Sequence, residues 1–289
     1  MKLVTFSCRG HQSIGKVIGN QVIDLPATDP ALPRTMLALL QAGPAALARV
    51  RAVSAEGAVT WPLADVRLEA PVPNPSKFLA IGMNYRKHVQ EALEAGLQVP
   101  DSQVWFNKQV SCVNGPFDPV HLPRASDKLD YEAELGVVIG RRCRHVSVAD
   151  APSVVAGYLV CNDVSVRDWQ MRSPTMMLGK SFNTHGPIGP WIVTADEVPD
   201  PHALRLRMIV NGEVRQDVGT DEMIHNVWAQ IAYLSTVMTL EPGDILATGT
   251  PSGVGAAAKP PSFRRVGDVM RVEIDGIGHI ENIVVAEPA

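Results

Sequence analysis

Side chains two residues apart on a β-strand point to the same side, and the run Leu129-Asp-Tyr-Glu-Ala-Glu-Leu-Gly-Val-Val-Ile139 places Glu132 and Glu134 in that relation. They share a face with Gly136 and Val138, while Tyr131, Ala133, Leu135, Val137 and Ile139 line the other. Both faces become apolar along the strand. Two carboxylates at the mouth of a buried strand repel each other and lose hydration, and a divalent cation relieves both penalties. Asp163, at the end of the apolar run GYLVCN, offers a third hard oxygen. Three such ligands suit Mg²⁺ or Mn²⁺, with positions left for substrate and water, and do not suit zinc. Taken alone, the glutamate pair fits a solvated strand end equally well, and a lone aspartate after a strand is more often a turn former.

In IGMNYRKHVQEALEAG, His88 and Glu91 are three apart on an expected helix with Asn84 as N-cap and Gly96 as stop, so they face each other. A histidine held by a carboxylate is a general base of defined tautomer. In isolation that spacing is usually a surface ion pair. Ala92 follows Glu91 where a zinc-protease helix needs a second histidine. Lys180 sits in the glycine- and proline-bearing loop Leu178–Pro190 and can hold a substrate carboxylate or oxyanion as a point charge. The loop Thr248–Gly255 lacks the lysine of a phosphate loop, although its amides can bind a carboxylate. G-x-S-x-G, H-E-x-x-H and a helix-opening G-x-G-x-x-G are all missing, which removes the usual supports of serine hydrolases, zinc proteases and dinucleotide enzymes.

The elements that must position these groups follow from pattern. Short strands (KLVTF, KVIG, QVIDL) precede an Ala/Leu-rich helical stretch over Met36 to Val53 and then WPLADVRL. Three prolines in Ala70–Lys77 read as a linker, dividing the chain into 1–70 and 71–289. Beyond it lie FLAIG, LGVVIG, VVAGYLV, WIVT, LRLRMIVNGEVRQ, DILATG and MRVEIDGIGHIEN, with helices over Tyr85–Ala95 and Met223–Met238. Asn211-Gly212 signals a hairpin and Pro242-Gly243 a turn into a strand. The predicted class is α+β and β-rich, without the strand–helix alternation of a doubly wound sheet.

Of 289 residues, 46% are hydrophobic and 19% charged, enough for a large core, and the net charge of −4 offers no footprint for nucleic acid or anionic membranes. No run of about eighteen apolar residues occurs and the N-terminus forms no signal-peptide core, so a cytoplasmic protein is expected. The four cysteines are scattered without C-x-x-C spacing and read as free thiols.

Taken in order, G-x-N-Y-x-x-H-x-x-E at Gly82–Glu91, Tyr-Glu-Ala-Glu at Tyr131–Glu134, N-D-V-S-x-R-D-W-Q at Asn162–Gln170, G-K-S-F at Gly179–Phe182 and T-G-T-P-x-G-V-G at Thr248–Gly255 resemble the fumarylacetoacetate hydrolase superfamily over roughly residues 73–287. The C-terminal KPPSF…GDVMRVEIDGIGHIEN resembles its branch of acylpyruvases, diketo-sugar-acid hydrolases and oxaloacetate tautomerases. The resemblance implies a mixed β-roll preceded by a small N-terminal α+β domain, paired as a homodimer. It further implies Glu132, Glu134 and Asp163 as metal ligands, His88 and Glu91 as an acid/base dyad on a helix that closes over substrate, and Lys180 as its catalytic cation. Arg167, Gln170 and Thr250 fall at its oxo-acid contacts, with Lys108 near another. Asn183 and His185 stand where many relatives carry Asp and Phe, a departure expected to alter the pocket wall. The implied activity is metal-dependent hydrolysis of a C–C bond in an acylpyruvate-like 2,4-dioxo acid. Tautomerisation or decarboxylation of oxaloacetate needs the same enolate, and a catalytically silent oxo-acid binder is the alternative outside enzymology.

Overall fold

Long alternating and fully apolar runs make sheet the dominant regular structure of this chain. The computed structural model describes residues 1–289 apart from Ala95 and Leu97. The N-terminal part holds β1 (Lys2–Cys8), β2 (His11–Ile18), β3 (Gln21–Asp24), α1 (Met36–Gln41), α2 (Gly43–Ala52), β4 (Thr60–Pro62) and β5 (Arg67–Glu69). Then come β6 (Phe78–Gly82), α3 (Arg86–Glu94), β7 (Val104–Lys108), β8 (Ala133–Ile139), β9 (Val155–Asn162) and β10 (Gly186–Thr194). The remainder is β11 (Arg205–Val210), β12 (Glu213–Gly219), α4 (Val227–Val237), β13 (Ile245–Ala247), β14 (Val269–Ile274) and β15 (Gly278–Ala286).

Among the described residues, one large sheet runs β4-β3-β2-β1-β10-β9-β8-β13-β6-β7, and β12-β11-β14-β15 belong to a second sheet of five strands. The side-chain alternation of β8 feeds two cores. Leu135, Val137 and Ile139 pack with Met208 and Val272 of the second sheet, whereas Val138 packs with Leu159, Met36 and Leu39 on the opposite side. The Ala70–Lys77 segment does connect β5 to β6, yet β1 pairs with β10 (Lys2 opposite Val193), so sheet and core run across it. No helix among the described residues is long and apolar enough to cross a membrane.

Several expected elements shift. The helical stretch over Met36–Val53 divides into two helices, because Gly43 at φ +76° followed by Pro44 breaks the hydrogen-bond ladder. The strand through Leu129–Ile139 is interrupted at Tyr131 and Glu132. The second long helix starts at Val227, where the Asn226 side chain caps the Ala229 amide. The first spans Arg86–Glu94; its expected last residue, Ala95, lies outside the described residues, and Gly96 follows at φ +79°. The Asn211-Gly212 hairpin forms between β11 and β12, with φ +51° and +83° at its two central residues, which is the left-handed pair a type I′ turn requires.

Candidate active site

Topology brings the chemistry to one end of the large sheet. β9 is antiparallel to β8 with Ala133 opposite Asn162, so Asp163 leaves β9 where β8 begins. β13 is also antiparallel to β8, with Gly136 opposite Ala247, and β6 is parallel to β13. The segment carrying His88, the segment carrying Asp163 and the loop after Ala247 therefore emerge beside Glu132 and Glu134.

Glu132, Glu134 and Asp163 are buried and present carboxylate oxygens within 4.8 Å of one another. Lys180 Nζ donates to Glu132 Oε2 (2.7 Å) and Asp163 Oδ2 (2.8 Å). Arg167 donates through Nη1 to Glu132 Oε1 and Gln170 Oε1, and through Nε to the buried Asp130 (2.8 Å). Lys108 donates to Asp163 Oδ1 (2.6 Å) and to the carbonyl of Lys180. Burial opposes ionisation of Glu132, but Lys180 and Arg167 outweigh it and hold the carboxyl well below its ordinary range. Glu134 has no ion-pair partner among the described residues, and Lys180 offsets its shift only in part. Burial, followed by the charges of Asp163 and Glu132, pushes it well above the ordinary value, although the Gly249 amide donates to it at 2.8 Å.

The charges gathered around the triad fit a divalent metal. Four carboxylates (Asp130, Glu132, Glu134, Asp163) meet three cations (Lys108, Arg167, Lys180), leaving one negative charge that a proton on Glu134 neutralises. A dication in place of that proton leaves one positive charge, which matches a monoanionic 2-oxo carboxylate. The donors are all hard oxygens, as Mg²⁺ and Mn²⁺ prefer.

His88 Nδ1 lies 3.2 Å from Glu91 Oε2 on α3. Glu91 Oε1 accepts the Gly253 amide at 3.0 Å. Gly253 takes φ +99°, and a Cβ there would come within 2.2 Å of the Arg215 carbonyl oxygen, so only glycine presents its amide in this way. The loop after β13 thus grips three protein carboxylates: Glu134 by Gly249, Glu91 by Gly253, and Asp130 by Gly255 and Ala256 at 2.9 Å each. The carboxylate-binding role expected of its amides is realised within the protein.

A cavity of about 250 Å³ is lined by His88, Glu91, Glu132, Arg167, Gln170, Lys180 and Thr250. Glu134 and Asp163 sit behind this wall, joined to it through Lys180 and Glu132. Lys108 is not on the wall. Placed by β7 beneath the site, its ammonium is engaged by Asp163 and two backbone carbonyls rather than turned to the cavity. Asn84 does not cap α3 either: its amide bridges His225 and the Thr248 carbonyl, tying β6 to the loop after β13. Asn183 is exposed, and His185 is buried with Nε2 on the His121 carbonyl (2.8 Å), so neither lines the cavity.

Two polar residues here escaped sequence reasoning. Asp130 continues the period-two series of Glu132 and Glu134, a signal that was present. Gln216 gave none, because it links distant segments, accepting from Ala133 N and donating to Thr250 Oγ1 (2.9 Å). The remaining walls are apolar, among them Ile81, Met83, Val104, Phe106, Met176 and Val254. Met83 and Met176 both hold left-handed backbone, at φ +55° and +57°, the kind of strain that gathers around binding sites.

Residues 77–285 match the family model described as fumarylacetoacetate (FAA) hydrolase, C-terminal. The chain is 42% identical over 290 residues to oxaloacetate tautomerase Fahd2a, mitochondrial, of Rattus norvegicus, covering 99% of this chain and 92% of that protein. Maleylpyruvate hydrolase from Sphingobium sp. SYK-6, solved in complex with manganese(II) ion and pyruvate, is 36% identical with a TM-score of 0.83 over 100% of both chains. Fumarylacetoacetate hydrolase from psychrophilic Exiguobacterium antarcticum is 36% identical with a TM-score of 0.87, over 99% of this chain and 100% of that one.

Proposed function

The chain belongs to the fumarylacetoacetate hydrolase family, and we propose that it hydrolyses a C–C bond in a small 2,4-dioxo acid, giving a 2-oxo acid such as pyruvate and a carboxylic acid. One observation carries this reading: a histidine oriented by a carboxylate lines the same small cavity as Glu132, Arg167 and Lys180, so a general base and a seat for an oxo acid share one space. Glu132, Glu134 and Asp163 would hold Mg²⁺ or Mn²⁺. When bound, that ion supplies Lewis-acid polarisation of the substrate's carboxylate and keto oxygens. The complex of the Sphingobium relative with manganese and pyruvate supports such a pairing.

Lys180 and Arg167 add positive charge beside the substrate carboxylate, and Gln170 and Thr250 add uncharged hydrogen bonds. With the Nδ1 proton directed to Glu91, the Nε2 lone pair of His88 takes a proton from water as its oxygen attacks the C4 carbonyl. The C3–C4 bond breaks, its electron pair passes to C3, and His88 returns the proton there. The apolar walls suit an uncharged acyl tail.

The second reading, keto–enol tautomerisation of oxaloacetate, is favoured by the activity named for the rat relative. It uses the same dyad to move a proton between C3 and the enol oxygen, without attack by water. A panel of acylpyruvates, fumarylpyruvate, 2,4-diketo-3-deoxy sugar acids and oxaloacetate, with Mg²⁺ and Mn²⁺, separates the two. Chelator-sensitive release of a carboxylic acid supports hydrolysis. Accelerated enol–keto exchange of oxaloacetate without bond cleavage replaces it, and oxalate binding without turnover of any substrate leaves only a binding protein.

A further inference from the structure

We infer that Asp130 is a positioning residue that sets the oxo-acid arginine and the dyad's carboxylate in one register. The inference rests on the functional reading above, since it concerns the same site. Asp130 is fully buried and does not line the cavity. Its Oδ1 accepts the amides of Tyr131 and Gly255, and its Oδ2 accepts the Ala256 amide and Arg167 Nε, all at 2.8–2.9 Å. Four N–H donors thus converge on one carboxylate. Such a group is costly to bury and is retained when its partners are fixed by it.

Two chains of contact leave it in opposite directions. One passes through Arg167, whose Nη1 reaches Glu132 and Gln170 on the cavity wall. The other passes along the loop: Gly255 and Ala256 are held by Asp130, and two residues earlier the Gly253 amide is held by Glu91, which faces His88. The distance between the oxo-acid end and the base is therefore fixed through Asp130 as well as through the sheet. An asparagine there offers one acceptor oxygen in place of two, and its NH₂ group confronts two donors that have lost their acceptor.

Asp130→Asn in the full chain tests this, with Mn²⁺ and oxalate as binding probes and the best substrate of the panel for turnover. In the folded variant we expect kcat to fall at least tenfold, KM and the oxalate Kd to rise severalfold, and the Mn²⁺ Kd to stay within threefold. Amide exchange at Gly253–Ala256 should quicken. Combining Asp130→Asn with Arg167→Lys should cost little more than the worse single change, because the two residues act as a unit. A mere brace of the fold would lower the melting temperature and leave kcat, KM, oxalate affinity and local exchange of the folded protein unchanged, which overturns the inference. If no substrate turns over in the wild type, the functional reading fails, while oxalate affinity and exchange still decide the role of Asp130. Should Asp130→Asn fail to fold, Ala256→Pro removes one loop donor and keeps the carboxylate; it should move the same readouts in the same direction, and unchanged readouts reject the inference.

Discussion

Glu91 accepts the Gly253 amide at 3.0 Å through the carboxylate oxygen that His88 leaves free. One side chain therefore both orients the candidate base and fastens α3 to the loop after β13.

The double duty separates three variants. His88→Ala should lower kcat by roughly 10²–10⁴-fold and leave KM nearly unchanged, as expected for loss of a general base alone. Glu91→Gln keeps an acceptor for Gly253 while losing the negative charge opposite the imidazole, so kcat should fall with little change in KM. Glu91→Ala loses the fastening too, and its KM should rise severalfold. Steady-state kinetics of the three variants decide it; matching KM values for the Ala and Gln forms at position 91 would remove the fastening role.

Glu134 predicts how metal binding responds to pH. Its folded-state pKa lies well above 4.5, raised by burial and then by Asp163 and Glu132. In the metal-free protein, the stability this group contributes is fully present below its unfolded value and is lost as pH rises through the folded one. A cation displaces the proton, so stabilisation by Mn²⁺ should grow with pH. The rise in melting temperature on adding Mn²⁺ should grow from the acid to the alkaline end of a pH series over which the protein stays folded. Glu134→Gln should weaken Mn²⁺ binding at least tenfold in calorimetry and flatten that dependence. A thermal shift independent of pH across that series in the wild type contradicts the assignment.

How far the site is legible in the sequence depends on the reach of each contact. Glu132 and Glu134, or His88 and Glu91, are local spacings that strand and helix periodicity turn directly into shared faces, and the structure keeps both pairs together. Asp163 is readable because a strand must end there. Lys108 was legible only as a cation near the site, since charge and alignment carry no information on whether an ammonium faces substrate or a buried carboxylate beneath it. Asn84 looked like a cap because its role joins positions 84, 225 and 248, a relation set by the parallel pairing of β6 and β13. Continuity of the N-terminal strands with the main sheet was equally hidden, because the pairing of Lys2 with Val193 has no local signature.

His185 predicts an acid limb in stability. Burial holds its imidazole down to about 3 from an ordinary 6.5, and Nε2 donates to the His121 carbonyl, so the folded protein keeps the ring neutral. The unfolded chain binds a proton below pH 6.5 that the folded one refuses. Stability is thus complete above that value and falls as pH drops toward 3, by an amount on the order of 4 kcal/mol over the whole interval. His185→Phe preserves the aromatic packing against Phe182 and removes the titration. Urea denaturation at pH 7.5 and 5.0 should show a smaller loss between the two for the variant than for the wild type. Equal losses would mean that the ring is protonated in the folded state.

Lys108 offers a test that tells a brace from a substrate contact. Its ammonium is fully buried and lies 2.6 Å from Asp163 Oδ1; burial disfavours the charge, but Asp163 together with Cys112 and Cys161 outweighs it and keeps the group charged. Lys108→Met keeps most of the side-chain volume and deletes the charge, leaving Asp163 with Lys180 as its remaining cation. Breaking a buried pair from one side costs about 3–5 kcal/mol. We expect a loss of that order in urea denaturation of the metal-free protein, partly restored by Mn²⁺, which returns positive charge to the same carboxylate. Substrate KM in the folded, metal-loaded variant should stay within about twofold of the wild type, because no atom of Lys108 reaches the cavity wall. A KM raised tenfold or more with unaltered stability would instead place Lys108 against the substrate, as the sequence resemblance had implied.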